Sequence, residues 1–230
     1  MIYLHRLKHN KLNGWILMSD TYPFTLMPLP YAYNALEPYI GTETMMVHHT
    51  KLLQNYINKL NGILKDHPAY QSWTLEELLI NNNKLPKAIR TDVAHSAGGV
   101  FNHNFFFNQM NSHSPVVHRS NNVPNHIFCD FLNEVFTSFE NFKEIFSHFA
   151  ASVFGSGYAW LVMTEDHLLK FMTTANQDTP LPSGLQPILM IDVWEHAYFL
   201  DYKSDRAHYI EEWFNVINWD KIEEIYIRLL

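Results

Sequence analysis

Asp192 and His196 stand four residues apart in "IDVWEHAYFLD", residues 191 to 201, with Trp194 and Glu195 between them and apolar or aromatic side chains on both sides. Burying an acid and an imidazole in such surroundings is costly unless they pair or hold a metal ion. Two further histidines share this setting. In "MMVHHTKLLQNYINKLN" the residues His48, Leu52 and Tyr56 recur every fourth position, so on a helix they share a face. Helical side chains lean toward the N-terminus, which turns Tyr56 toward whatever His48 holds. In "AGGVFNHNFFFNQM" His103 is framed by Phe101, Phe105, Phe106 and Phe107. A lone histidine on an apolar face is more often a hydrogen-bonded core residue than a ligand. Three imidazoles and one carboxylate together would suit a single manganese, iron or zinc ion, with no thiolate to favour a softer metal. Apolar framing would then position the ligands and control the access of water.

The elements that must bring these residues together can be read from periodicity. Apolar residues recur at helical spacing from about Glu43 to Gly62, where the glycine is a plausible stop, and a second helix is expected from about Ser96 to Met110. The Ser/Asn/Pro-rich stretch at 112–124 reads as a linker. Beyond it, "FCDFLNEVF" and "FENFKEIFSHFAASVFG" have helical patterns, "YAWLVMT" and "LLKFMTTA" flank the turn "EDH" as a hairpin, and "PILMIDVW" reads as a buried strand. Two helices, about Arg206 to Ile217 and Asp220 to Leu230, follow. The expectation is an α+β protein, with an N-terminal helical hairpin domain at 22–111 and a C-terminal α/β domain with a small antiparallel sheet at 125–230. Residues 1–21 form an extension that carries Arg6, Lys8 and Lys11 before its first acid. It reads as an overextended start, with Met18 the natural first residue, or as a weak targeting segment.

Composition narrows the function. A chain of 230 residues that is 47% hydrophobic can bury a substantial core. A net charge of −7 gives no overall attraction to nucleic acid or to an anionic membrane, so neither is expected as a partner. No apolar run approaches the roughly 18 residues of a membrane span. The single cysteine, Cys129, forms no internal disulfide, which fits a reducing, cytoplasmic location; the N-terminal extension leaves an organellar or exported form open. Of the 14 histidines, His5, His9, His113, His118 and His126 lie in polar or terminal stretches and read as solvated.

The blocks "LPYAYNALEPYI", "HHTKLLQNYINKLN", "SAGGVFNHNFFF", "FGSGYAWLV", "TTANQDTPL" and "DVWEHAYFLDY" resemble, in order and spacing, the iron/manganese superoxide dismutase family over about residues 22 to 220. The resemblance implies that His48, His103, Asp192 and His196 hold one ion per subunit, manganese by preference and iron as the alternative. Tyr56 corresponds to the tyrosine at the substrate channel, and Gln177 to the glutamine that bonds solvent at the metal. Glu195 corresponds to the glutamate that reaches the partner's His196 across a homodimer, Tyr198 to an interface tyrosine, and Trp160 and Trp194 to an aromatic wall. Lys51 and Arg206 would steer superoxide toward the channel. A homodimer is implied, with a tetramer as a second form.

The chain departs from the family pattern at Leu52 and Leu53, both commonly histidine, and at Phe107, Tyr158 and Val100. Leu52 replaces a histidine that links the channel tyrosine to the interface tyrosine, so the alternative to an active dismutase is a metal-binding member of low turnover. Phe107 and Tyr158 stand for tryptophans, and Val100 follows the two glycines; these read as replacements that keep a dry wall. A di-iron oxidase of the helical-bundle type would need Glu-x-x-His pairs, and no glutamate here has a histidine three residues later.

Overall fold

The computed structural model describes residues 20–111, 123–124 and 126–230. Most of the expected linker and all but two residues of the N-terminal extension lie outside them. The first half is a helical hairpin. One long helical path comprises α1 (Thr42–Val47), a π-helical segment (His48–Leu53) and α2 (Gln54–Lys65). It packs against α4 (Arg90–Asn108), with the short α3 (Leu75–Ile80) between them in sequence.

Gly62 does not end the first helix. It sits on the exposed side with nothing within 4 Å of a would-be Cβ, and the helix continues to Lys65, where Pro68 makes extension unfavourable. The second helix starts at Arg90, six residues before Ser96, because the polar turn "RTDVAH" carries no apolar period yet still winds onto the same helix. Helix α3 was not expected, although "TLEE" carries its signal. Thr74 Oγ1 accepts from the Glu77 N–H at 3.2 Å while a Glu77 carboxylate oxygen accepts from the Thr74 N–H at 2.9 Å, which is a capping box.

The second half opens with α5 (His126–Phe136) and α6 (Phe139–Ser152). Three antiparallel strands follow, β1 (Gly157–Met163), β2 (Leu169–Ala175) and β3 (Gln186–Asp192), in the order β2-β1-β3. Central β1 is buried at every residue, whereas edge β2 mixes exposed and partly buried positions. Helices α7 (Phe199–Tyr202), α8 (Arg206–Trp213) and α9 (Trp219–Leu229) close the chain, and an aromatic core of Phe142, Phe146, Phe171, Trp213 and Trp219 joins helices to sheet.

Several polar joints fix the halves to each other, two of them close to the ligand-bearing segments. Gln109, just past α4, uses its side-chain amide to pair with both the N–H and the C=O of Met190, as a neighbouring strand would, two residues before Asp192. Asp201 of α7 accepts from the Gly41 N–H at 2.9 Å and from Thr44 Oγ1 at 2.7 Å, so an acid from the C-terminal half caps the helix that leads to His48.

Candidate metal centre

Each of the four residues comes from a different structural position. His48 opens the π-helical segment, a widened turn of a kind often found at functional sites. His103 is on the third turn of α4 after its buried stretch begins at Val93, Asp192 ends β3, and His196 sits in the short 3₁₀ turn Glu195–Ala197. One ligand-type atom from each lies within 4.8 Å of the others. His48 Nε2 is 3.4 Å and His196 Nε2 3.6 Å from Asp192 Oδ2.

Several other polar atoms of this group are already committed. His103 Nδ1 is 2.7 Å from the Gly99 carbonyl, so it carries the proton and leaves Nε2 as a lone pair. Asp192 Oδ1 accepts from the Trp194 N–H at 2.8 Å, and its backbone carbonyl accepts from Tyr209 at 2.9 Å. What remains is Nε2 of His48, His103 and His196 and Oδ2 of Asp192, all buried without a hydrogen-bond partner. Four convergent unpartnered acceptors are expensive. A divalent or trivalent cation is the group that satisfies them together, so the residues fit a metal ion.

The electrostatics agree. Burial pulls His48 down to about 4 against the opposing pull of Asp192, and pulls His103 down to about 3, so both rings are neutral near pH 7. Burial alone would raise Asp192, but the His196 and His48 rings close beside it outweigh that and hold the carboxyl well below the usual range. Neutral imidazoles and an ionised carboxylate are the metal-binding forms.

Aromatic rings enclose the group. Phe107 lies 4.9 Å and Phe106 5.7 Å from the His48 ring, and Trp194 lies 5.3 Å from His196. Trp160 is fully buried one layer further out, against Phe105 and Tyr158, with its N–H donated to Thr174. Tyr56 leans back as the sequence suggests, its ring 5.3 Å from His103, and burial pushes its phenol up against an opposing hydrogen bond from Gln177. Gln177 is buried in the turn after β2, and its Nε2 donates to the Tyr56 hydroxyl at 3.1 Å.

The sequence reading missed the close packing that makes this possible. A Cβ on Gly98 would sit 2.2 Å from the Gln177 carbonyl oxygen, and one on Gly99 would sit 2.4 Å from the Tyr56 ring. Two adjacent glycines inside a helix each cost about 1 kcal/mol relative to alanine, and that cost was the available signal of a close approach. Glu195 is exposed beside His196, and Tyr198 is buried. Lys51 is exposed, whereas the Arg206 guanidinium is occupied by Tyr198 and by the carbonyls of Val153 and Gly155.

A helical hairpin joined to an α/β domain, with three histidines and one aspartate converging between them, defines a mononuclear metalloprotein. The chain belongs to the iron/manganese superoxide dismutase family. Residues 23–111 match the family's alpha-hairpin domain and residues 124–225 its C-terminal domain. It is 41% identical over 208 residues to "Superoxide dismutase [Mn] 1" of Leptolyngbya boryana, covering 90% of this chain and 82% of that protein. It is also 41% identical over 207 residues to "Superoxide dismutase [Mn] 2" of Bacillus anthracis, covering 90% of this chain and 96% of that one.

Proposed function

We propose that this chain converts two superoxide radicals and two protons to oxygen and hydrogen peroxide, using one ion held by His48, His103, Asp192 and His196. The convergence of four unpartnered ligand atoms carries the reading. When bound, such an ion supplies one-electron chemistry by alternating between its trivalent and divalent states. The protein's part is to hold it and manage water and protons. Asp192 and the three imidazoles fix its position, and Phe106, Phe107 and Trp194 limit water beside the ligands. Tyr56 and Gln177 form the polar link through which protons reach the site. Nothing among the described residues favours the low-turnover alternative, since Tyr56 keeps Gln177 and Tyr198 keeps Arg206 as partners.

Manganese is the preferred ion and iron the alternative. Gly99 together with Gln177 in "ANQD" resembles the manganese-type arrangement, and both relatives above are named as manganese enzymes. Metal analysis of natively produced protein, with turnover after reconstitution by each metal, tests both statements. Full activity with iron and none with manganese would reverse the preference. Full loading with either metal and no superoxide turnover would remove the function.

The active form is a homodimer, a tetramer being the larger alternative. Met46 and Val47 of α1, Phe199 and Leu200 of α7 and the fully exposed Phe154 are large apolar side chains open to solvent. The contact between α1 and α7 and the Arg206 clamp on Val153 and Gly155 bring them toward one face, which also carries Glu195. Glu195 would then reach the partner's His196. Glu195→Ala should lower dimer affinity and turnover together through loss of a charge-assisted hydrogen bond, read by sedimentation and by assay. No change in either would refute the shared interface. No helix among the described residues is long and apolar enough to cross a membrane. The lone cysteine supports a cytoplasmic location.

A further inference from the structure

We propose that His49 is a positioning residue: it locks the segment from Met27 to Tyr33 onto the π-helical turn and so sets how His48 stands against His103. His49 follows the ligand His48 directly and is buried, with both ring nitrogens engaged. Its Nε2 lies 2.8 Å from the Met27 carbonyl, and a carbonyl oxygen only accepts, so Nε2 carries the proton. Nδ1 is then the lone pair of the neutral ring, and the Tyr33 hydroxyl donates to it at 2.9 Å. The same segment reaches the other hairpin helix. Tyr31 donates from its hydroxyl to the Phe107 carbonyl at 3.0 Å, one turn beyond His103, and burial pushes that phenol up so that its proton stays in place.

The segment thus ties the first helical path one residue from one ligand, and α4 four residues from another. Phe107 completes the contact, its ring meeting the His49 ring edge-on at 5.6 Å and the His48 ring at 4.9 Å. The two ligand rings themselves stand 4.8 Å apart at 86°. That near-perpendicular pose is what the clamp maintains. A π-helical turn is rare, and no side chain caps the one at His48–Leu53. With the two bonds of His49 removed, its buried ring loses a fixed direction and the turn that carries His48 is free to rotate relative to α4.

This inference rests on the reading of His48 and His103 as ligands of a redox-active ion in a dismutase, and the test separates the two. Manganese-loaded parent, Tyr33→Phe, His49→Leu, His49→Gln and Asn61→Ala are compared for metal content, thermal stability, the visible spectrum and midpoint potential of the bound ion, and kcat against KM. Asn61→Ala is the control, because Asn61 pairs with both the N–H and the C=O of Phe24 and so ties down the chain just before Met27, away from the ligands. Tyr33→Phe and His49→Leu are expected to keep their metal, displace spectrum and potential, and lose about tenfold in kcat with KM little changed, the low end for loss of an outer partner at a metal site. His49→Gln, whose amide has a donor for Met27 and an acceptor for Tyr33, should recover part of each. Asn61→Ala should lose stability while spectrum and potential stay with the parent. Parent-like spectra and potentials in both Tyr33→Phe and His49→Leu, whatever their stability, would overturn the positioning role. Should His49→Leu fail to fold or to load, Tyr33→Phe decides alone. A parent that binds manganese without turning over superoxide would remove the dismutase reading and leave the spectra to judge His49, and a parent that takes up neither manganese nor iron would remove both.

Discussion

Arg206 donates from Nε to the Tyr198 hydroxyl at 3.1 Å, and the same guanidinium donates to the carbonyls of Val153 at 2.6 Å and Gly155 at 2.9 Å. One side chain at the start of α8 thus joins Tyr198 to the turn that leads into β1. Its plane also lies over the Tyr198 ring, 5.8 Å from the centroid. Three donors in fixed directions are what a guanidinium offers and an ammonium does not.

Arg206→Leu should therefore destabilise the protein by ~2–3 kcal/mol, since hydrogen bonds to charged groups are the stronger kind and the site is only partly buried. For a chain of this size that is a fall in Tm of roughly 5–10 °C. Arg206→Lys should recover less than half of it. Thermal unfolding of the three proteins checks the order, and equal melting temperatures would show that the clamp is incidental.

The same contact changes what is expected of Leu52. A leucine in place of a histidine removes a link toward Tyr198, but the Tyr198 hydroxyl already accepts from Arg206 within its own chain. Leu52→His should then leave metal content and steady-state turnover unchanged within measurement error. A clear rise in turnover at high superoxide flux, measured by pulse radiolysis, would show instead that leucine interrupts a proton path.

Leu52 illustrates where sequence reasoning ends at this site. The cluster of His48, His103, Asp192 and His196, with Tyr56 beside it, was legible because residue types and spacing carry chemistry, whereas Gln177 was legible only through the family resemblance. The hairpin, the three-stranded sheet and most helices were legible because apolar period reports on one buried face at a time. The π-helical turn at His48–Leu53 was not, because a ring one residue wider leaves the apolar spacing of Leu53, Ile57, Leu60 and Leu64 intact. The hydrogen bonding of Gln177 to Asn102 and Tyr158 was hidden for a different reason: Asn102, Tyr158 and Gln177 are 56 and 19 residues apart along the chain and meet only when α4, β1 and the turn after β2 are packed. Tyr158 read as wall, and its hydroxyl gained meaning only from what lies 2.8 Å away.

The glycines of the two hairpin helices give a test in which the same substitution should have opposite signs. Gly62→Ala adds a methyl group that meets nothing within 4 Å on an exposed helical turn, so it should stabilise by ~0.5–1 kcal/mol through helix propensity. Gly98→Ala places its Cβ against a backbone oxygen of the Gln177 turn, which cannot swing aside as a flexible side chain would. It should destabilise by ~1–3 kcal/mol and reduce metal retention, because the turn that carries Gln177 must move. Urea midpoints for both variants decide, and a stabilised Gly98→Ala protein would mean that α4 and the turn are less closely packed than described.

The buried histidines make the metal-free protein sensitive to acid, and the sign follows from their displaced equilibria. His48 is drawn from 6.5 to about 4 and His103 from 6.5 to about 3, chiefly by burial, so both stay neutral in the folded chain where the unfolded chain has already taken up protons. The unfolded state thus binds more protons below about pH 6.5, and stability falls as the pH is lowered. The loss begins near pH 6.5 and runs to about 4 for His48 and about 3 for His103. With both rings contributing, the slope approaches ~2.7 kcal/mol per pH unit, one proton being ~1.4. Asp192, held low by its histidine neighbours, acts in the same direction at still lower pH. Bound metal competes with these protons for the same nitrogen atoms, so acid should release the ion and then unfold the chain. Urea unfolding of chelator-treated protein at pH 7, 6 and 5 should show midpoints falling steadily, with His103→Gln flattening part of the slope. A midpoint constant across this range would mean that the two rings are protonated to the same extent folded and unfolded, and that burial is not what keeps them ready to bind metal.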